Sequence, residues 1–526
     1  MADAQPRESA MTDPVDVLVV GGGINGAGIA RDLAGRGLSV TLCEQGDLAS
    51  ATSQWSSKMI HGGLRYLEHG ALGLVRKSLI EREGLLRSAP HLIRPLRLIL
   101  PHDPGLRPAW MMRIGLFLYD HLAPQHLLPA SQALDLRTHP AGQALQPRFT
   151  QGFAYSDGCV DDARLVLANA LDAHERGARI LTRTHCESAH PDRSGWQARL
   201  QHADGRVTKL FARSIVNAAG PWADRLLGGT LGQTTKRRLR LVQGSHIVVR
   251  RLFAHDDGYL LQNPDGRVLF ALPFQRDYTL LGTTDVEFTG DPAQAAITPA
   301  EIDYLCRNAN RWLRTALTPA HVCWSYAGVR PLLDDEAGNP AEVTRDYRLE
   351  TGGEDAAPLL TVWGGKLTTF RRLAEEAADL VCRRLGRGGN AWTRDAVLPG
   401  GDLLVPGQAV GDPAGARRLL EEAVVRACPG QPPAWVERVC AAYGSRIWQW
   451  LAREGRNALG TELAPGLHEA ELAHQIEREW ARCAEDVLWR RTKLGLGCNA
   501  AHVDAVERWI TGHLARTAPD PPPGER

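Results

Sequence analysis

The sequence predicts an α/β protein that opens on a parallel β-α-β unit, continues through an antiparallel sheet and closes on a helical region. Three observations predict this order. A valine-rich run, Asp16-Val17-Leu18-Val19-Val20, meets a glycine-rich turn, then a helical pattern and a second short apolar run. Between about 235 and 330 the apolar residues fall in short alternating runs, as on antiparallel strands. From 414 to 516 helix formers dominate, with Trp and Leu at helical spacing.

In chain order, residues 1–14 are polar, lack the apolar core of a signal peptide and read as a flexible tail. Residues 16–20 read as a buried strand. Residues 24–36 read as a helix that turns Ile24, Ile29 and Leu33 to the sheet, and 38–43 as a second strand ending at Glu44. Residues 72–86 are helical, with Glu81, Arg82 and Glu83 on the polar side. The stretch 90–150, rich in proline, arginine and bulky apolar groups, yields no regular element. Residues 162–176 form an amphipathic helix with carboxylates at its start, where the helix dipole favours them. Strands are expected at 179–184, 198–202 and 214–217, and antiparallel strands at 246–249 and 278–281. A helix follows at 367–385. The domains expected are one at 15–385, whose substrate part takes about 75–150 and 225–335, a helical one at 386–516 and a disordered tail at 517–526.

The 526 residues suit two or three domains, and 44 % hydrophobic with 23 % charged residues is an ordinary globular composition. A formal net charge of +1 disfavours a nucleic-acid binder that depends on overall basicity. Ten scattered cysteines without a CxxC disfavour zinc, iron–sulfur clusters and a disulfide framework, and no metal is expected. No apolar stretch approaches the ~20 residues that span a bilayer.

Gly21, Gly23 and Gly26 give GxGxxG between strand and helix. The first permits the tight turn, the second lets backbone approach a pyrophosphate, and the third lets helix and strand pack closely. Amides at the helix start then face the phosphates. Glu44, about 20 residues on, suits ribose hydroxyls and disfavours a 2′-phosphate. Two more strand–turn junctions, at Ala219-Gly220 and at Gly364-Gly365-Lys366-Leu367-Thr368-Thr369, supply small residues along an extended ligand, which favours FAD over NAD.

Residues 53–69, SQWSSKMIHGGLRYLEH, resemble the FAD-dependent glycerol-3-phosphate dehydrogenases, most closely the aerobic, quinone-linked bacterial enzymes. Further matches are Gly220-Pro221-Trp222, Gly244-Ser245-His246, Gly282-Thr283-Thr284-Asp285, Gly328-Val329-Arg330-Pro331, Thr344-Arg345-Asp346-Tyr347 and the turn from Gly364. With 484–492 they run in order along nearly the whole chain. The resemblance implies a glutathione-reductase-like FAD domain interleaved with an antiparallel substrate domain, plus a helical C-terminal domain. It implies FAD held by Gly21, Gly23, Asn25, Gly26, Glu44, Ser53, Ser57, Ala219, Gly220, Gly365, Lys366, Leu367 and Thr368. Gln54 and Trp55 depart from the smaller residues expected of relatives in a loop near the cofactor.

The implied reaction oxidises sn-glycerol 3-phosphate at C2, which needs a hydride acceptor, a destination for the hydroxyl proton and cations for a phosphate dianion. Arginine suits phosphate through its bidentate fork. The matching motifs place Arg65, Arg330 and Arg345 near substrate, with Tyr66, His246, Thr284 and Lys366 completing the pocket, and Arg330 nearest the reacting carbon. His61 and His246 are equal candidates for the base, and loss of the proton to water stays open. Electrons would pass to ubiquinone or another membrane quinone, which implies peripheral attachment to the inner face of the cytoplasmic membrane. Two segments suit attachment: the apolar run 110–119, preceded by Arg94, Arg97 and Arg107, and the basic cluster 236–240. Each reads equally as a core segment or a solvated face. A glycerol-3-phosphate oxidase using oxygen and a non-redox FAD-binding module are the alternatives, and a homodimer stays open.

Overall fold

The chain begins with β1 (Val15–Val20), buried along its length, then α1 (Ile24–Gly35) and β2 (Val40–Cys43), which lies parallel to β1 with Val17 opposite Val40. The computed structural model describes residues 13–235, 237–334, 346–353, 357–403, 413–451 and 459–517. Next come α2 (Leu72–Ser88), β3 (Ile93–Pro101), α3 (Ala109–His121), β4 (Gln151–Val160), α4 (Asp162–Glu175), β5 (Arg179–Leu181) and β6 (Val207–Asn217). The strands β7 (Leu239–Arg250), β8 (Gly258–Gln262), β9 (Val268–Phe274) and β10 (Tyr278–Gly282) precede α5 (Pro299–Trp312) and β11 (Val322–Leu333). Finally β12 (Arg348–Gly352), β13 (Leu359–Trp363) and α6 (Phe370–Leu385) return to the first sheet.

The main path of that sheet runs β12-β13-β6-β1-β2-β5, parallel except for β12, and the antiparallel strands Thr184–Asp192 and Gly195–His202 extend it from β6. α1 packs against β1 and β2, and α4 and α6 pack against α1. The glycine turn after β1 therefore opens at the carboxyl ends of central parallel strands, where open α/β sheets bind ligands.

The second sheet runs β7-β10-β9-β8-β3-β4 through its middle, and β11 lies antiparallel to β7 along nearly its whole length. The expected 246–249 and 278–281 runs pair antiparallel, with Ile247 opposite Leu281. Alternation sorts the faces. Ile247, Val249, Tyr259, Leu261, Leu269 and Ala271 pack with Leu305, Ala309 and Trp312 of α5 in one apolar cluster. The opposite face is left to line a cavity. α5 is started by a capping box in which Thr298 and Glu301 satisfy each other's backbone N–H groups.

The stretch 90–150 does contain regular structure, in β3, α3 and a short strand at Gln132–Asp135. In β3, prolines and arginines interrupt the alternation, although Leu96, Leu98, Ile99 and Leu100 are buried.

The chain separates into two compact units, 1–398 and 399–526. The boundary expected at 386 thus falls at 399, because Trp392 and Thr393 donate to the main-chain and side-chain oxygens of Asp32 in α1. The second unit holds α7 (Pro413–Ala427), α8 (Pro433–Tyr443), α9 (Glu469–Arg478) and α10 (Ala500–Thr517). Val424, Val436, Val439 and Trp450 share one of its cores, and Leu472, Ile476, Val506 and Ile510 another.

Candidate active site

The turn after β1 is shaped by what a side chain would strike. Gly21 has φ +115°, and a Cβ there would lie 2.5 Å from the carbonyl oxygen of Ala218. A Cβ on Gly26 would lie 1.8 Å from the carbonyl oxygen of Gly21. Gly26 is thus a packing residue behind the turn, whereas Gly21, Gly23 and Asn25 line a cavity of about 860 Å³. Glu44 closes one end. Its carboxylate accepts from the Gly22 and Gly46 amides at 2.7 and 2.8 Å, leaving lone pairs for hydroxyl donors. Burial pushes this carboxyl above its usual range, while the amide bonds pull it back. Ser53 Oγ accepts from the Ile24 amide at 3.0 Å, capping the start of α1.

From Glu44 the cavity passes Ala219 and Gly220, reaches Gly365 to Thr368, and ends under the second sheet, where Gly244, Leu260, Phe270 and Arg330 line it. An elongated cradle with a glycine turn and helix start in the middle and a carboxylate at one end fits FAD. Asn25 ties the third junction to the first, since its Nδ2 donates to the Gly364 carbonyl at 3.2 Å, while its Oδ1 is buried without a partner.

The loop 52–66 forms one wall. His61, Arg65 and Tyr66 line the cavity, and Lys366 Nζ sits 3.9 Å from the Tyr66 ring centroid. The loop is fastened at Gly62, whose amide donates to Tyr119 and Asp157, while the His61 amide donates to Thr368 Oγ1. It is fastened again at 55–58. Trp55 packs on Gly328 and Tyr326, Tyr326 donates to the Ser56 carbonyl at 2.8 Å, and Lys58 pairs with buried Asp162. Trp55 therefore lines the cavity and locks the loop onto β11.

The strand pair β7–β11 presents the arginine. Their register sets Val242 opposite Arg330, Gly244 opposite Gly328 and His246 opposite Tyr326. The Arg330 guanidinium lies across Gly244, where a Cβ would meet Nη2 at 2.3 Å. Its Nη1 donates to Asp285 Oδ1 at 2.5 Å and its Nη2 to Thr283 Oγ1 at 2.9 Å.

Two expected pocket residues do not reach the cavity. His246 is buried beneath Tyr326, stacked at 4.8 Å and 17°, with Nε2 2.9 Å from Ser57 Oγ. Burial, with the charges of Arg330 and Lys58, pushes its pKa well below the usual histidine range. Thr284 is turned away: its hydroxyl donates to Glu301 and accepts from the Ser245 amide. Its neighbours Thr283 and Asp285 line the cavity instead. Arg345 lies outside the described residues. Ser57, Leu367 and Thr368 are at the cavity wall. Thr283 and Asp285 are the residues that sequence reading missed, although both stand in the quoted GTTD motif.

The family model of FAD-dependent oxidoreductases matches residues 16–371, and that of the C-terminal domain of alpha-glycerophosphate oxidase matches 391–514. With its Rossmann turn and elongated cradle the chain is an oxidoreductase whose cofactor is FAD. It belongs, more narrowly, to the glycerol-3-phosphate dehydrogenase family. The glycerol-3-phosphate dehydrogenase of Pseudomonas aeruginosa is 47 % identical over 503 residues, 94 % of this chain and 95 % of that protein. The D-erythritol 1-phosphate dehydrogenase of Brucella abortus is 45 % identical over 503 residues, 95 % of this chain and 98 % of that protein. The solved structure of glycerol-3-phosphate dehydrogenase from Bacillus halodurans complexed with FAD has a TM-score of 0.74 at 28 % identity, covering 96 % of this chain and 92 % of that one.

Proposed function

We propose that this enzyme oxidises sn-glycerol 3-phosphate to dihydroxyacetone phosphate and passes the electrons to a membrane quinone. One observation carries the reading: Arg65 and Lys366, cations for a phosphate dianion, and Arg330, a donor for the reacting oxygen, converge on the cavity that also holds the dinucleotide turn. Bound FAD supplies the hydride acceptor. Arg330, fixed by Asp285 and Thr283, polarises the C2 oxygen as it changes from alcohol to ketone. Arg65 grips the phosphate, and Tyr66 and Lys366 close that end. His61 takes the hydroxyl proton, a role its place on the cavity wall supports and one from which covered His246 is shielded.

The membrane reading is supported by α3. Trp110 and Phe117 are 61 % and 60 % exposed, Met111, Ile114 and Leu118 are exposed beside them, and Arg113 lies among them, while Met112, Leu116 and Tyr119 face inward. Such a face suits insertion into one leaflet beside anionic lipid. Among the described residues no helix is long and apolar enough to cross a membrane. In the second basic cluster Lys236 lies outside the described residues, and Arg237 and Arg240 pair with Glu350 and Glu287. We therefore assign attachment to α3.

Anaerobic addition of glycerol 3-phosphate should bleach the oxidised flavin, and a ubiquinone analogue should restore its colour faster than air. Faster recovery in air would make the enzyme an oxidase. The Brucella relative supports a second reading, a four-carbon polyol phosphate as substrate. Stronger bleaching by D-erythritol 1-phosphate than by glycerol 3-phosphate would establish it.

A further inference from the structure

We propose that Asp285 sets the direction in which the substrate binds, by cancelling the charge of Arg330 so that this end of the cavity takes the neutral alcohol and refuses the phosphate. An arginine fork in a cavity is by itself a phosphate anchor. At Arg330 both sides of the fork are already engaged, Nη1 by the Asp285 carboxylate at 2.5 Å and Nη2 by Thr283 Oγ1 at 2.9 Å. The Asp285 side chain is 8 % exposed and lines the cavity, so a phosphate arriving at Arg330 would meet a poorly screened carboxylate as well. The other buried cation near this wall, Lys58, is neutralised by Asp162. Arg65, by contrast, lines the cavity with no carboxylate partner among the described residues.

The cradle is braced from behind. Thr284, between the two residues that hold Arg330, donates to Glu301 Oε1 at 2.7 Å, and Ser245 donates to the same oxygen at 2.7 Å. Glu301 Oε2 accepts from Gln243 and from Thr298. Asp285 is thus a fixed counter-charge, and the cavity has one neutral and one cationic end. The three-carbon substrate then lies with phosphate at Arg65 and C2 hydroxyl at Arg330.

This inference rests on the assignment of Arg330 to the reacting oxygen, and its test needs no turnover. Inorganic phosphate is titrated into the oxidised, FAD-loaded protein and followed by the flavin difference spectrum. Asp285→Asn should bind phosphate at least tenfold more tightly than the unaltered protein. It should also show inhibition by excess glycerol 3-phosphate, which binds reversed. Asp285→Glu, which keeps the charge, should restore weak phosphate binding. Equal phosphate affinity in the unaltered and Asn proteins would overturn the proposal. If Asn and Ser variants both lose FAD, Asp285 belongs to cofactor retention and the proposal is equally overturned. Failure of glycerol 3-phosphate to bleach the unaltered protein would count instead against the proposed reaction.

Discussion

His246 is held neutral by its surroundings, and this has a thermodynamic signature. Its pKa in the fold lies well below the 6.5 of an exposed histidine. As pH falls through 6.5 the unfolded chain takes the proton and the folded protein does not. The stability is therefore fully present above about 6.5 and lost below it, at up to about 1.4 kcal/mol per pH unit. His246→Gln should flatten that part of the melting-temperature profile between pH 6.5 and 5 at fixed FAD, and an unchanged slope would refute the assignment. His61→Gln should instead slow anaerobic flavin reduction by about 10²–10⁴-fold with FAD retained, against less than about tenfold for His246→Gln. Sequence alone weighed the two histidines equally, because a residue type carries no depth; register places His246 under Tyr326. The same limit explains Thr284: a motif names adjacent threonines, and only the backbone decides which hydroxyl meets Glu301 and which meets Arg330.

At the scale of elements, the β1–α1–β2 unit was legible because period, glycine spacing and the acid at Glu44 agree with one another. Gly26→Ala should abolish FAD retention, since its Cβ would sit 1.8 Å from the Gly21 carbonyl oxygen; a variant purified yellow at full FAD content would contradict this. β3 and α3 were illegible for opposite reasons. In β3, Pro95 and two arginines break the alternation on a strand paired with β4 on one side and β8 on the other. α3 is apolar on both sides, so no polar face marks its period: Met112, Leu116 and Tyr119 go inward, and Trp110, Ile114 and Phe117 outward. Replacing Trp110 and Phe117 by Ser together should abolish co-sedimentation with anionic vesicles while leaving glycerol 3-phosphate bleaching of the soluble protein within about twofold, because surface changes away from buried groups cost little. Undiminished vesicle binding would move the membrane surface elsewhere.

For the whole molecule, the division falls at Leu398 and not at the expected 386, because Trp392 and Thr393 carried no sign in the sequence that they fasten to Asp32. Every described residue that lines the cavity belongs to the first unit. FAD binds the folded state of that unit and should stabilise it by about 4 kcal/mol when free FAD is a thousandfold above its Kd. Spread over the unfolding entropy of roughly 400 residues, this is an upward shift of about 5 °C. The second unit has its own apolar cores, and none of its described residues lines the cavity. Calorimetry of the FAD-loaded and FAD-stripped full chain should therefore show the transition of residues 1–398 moving down on stripping, with that of 399–526 moving much less. Amide hydrogen exchange on α1 reports the first unit, and on α9 and α10 the second. A single transition in which both probes shift equally would mean that the two units unfold as one cooperative body, and that FAD stabilises the helical unit as strongly as the fold that holds it.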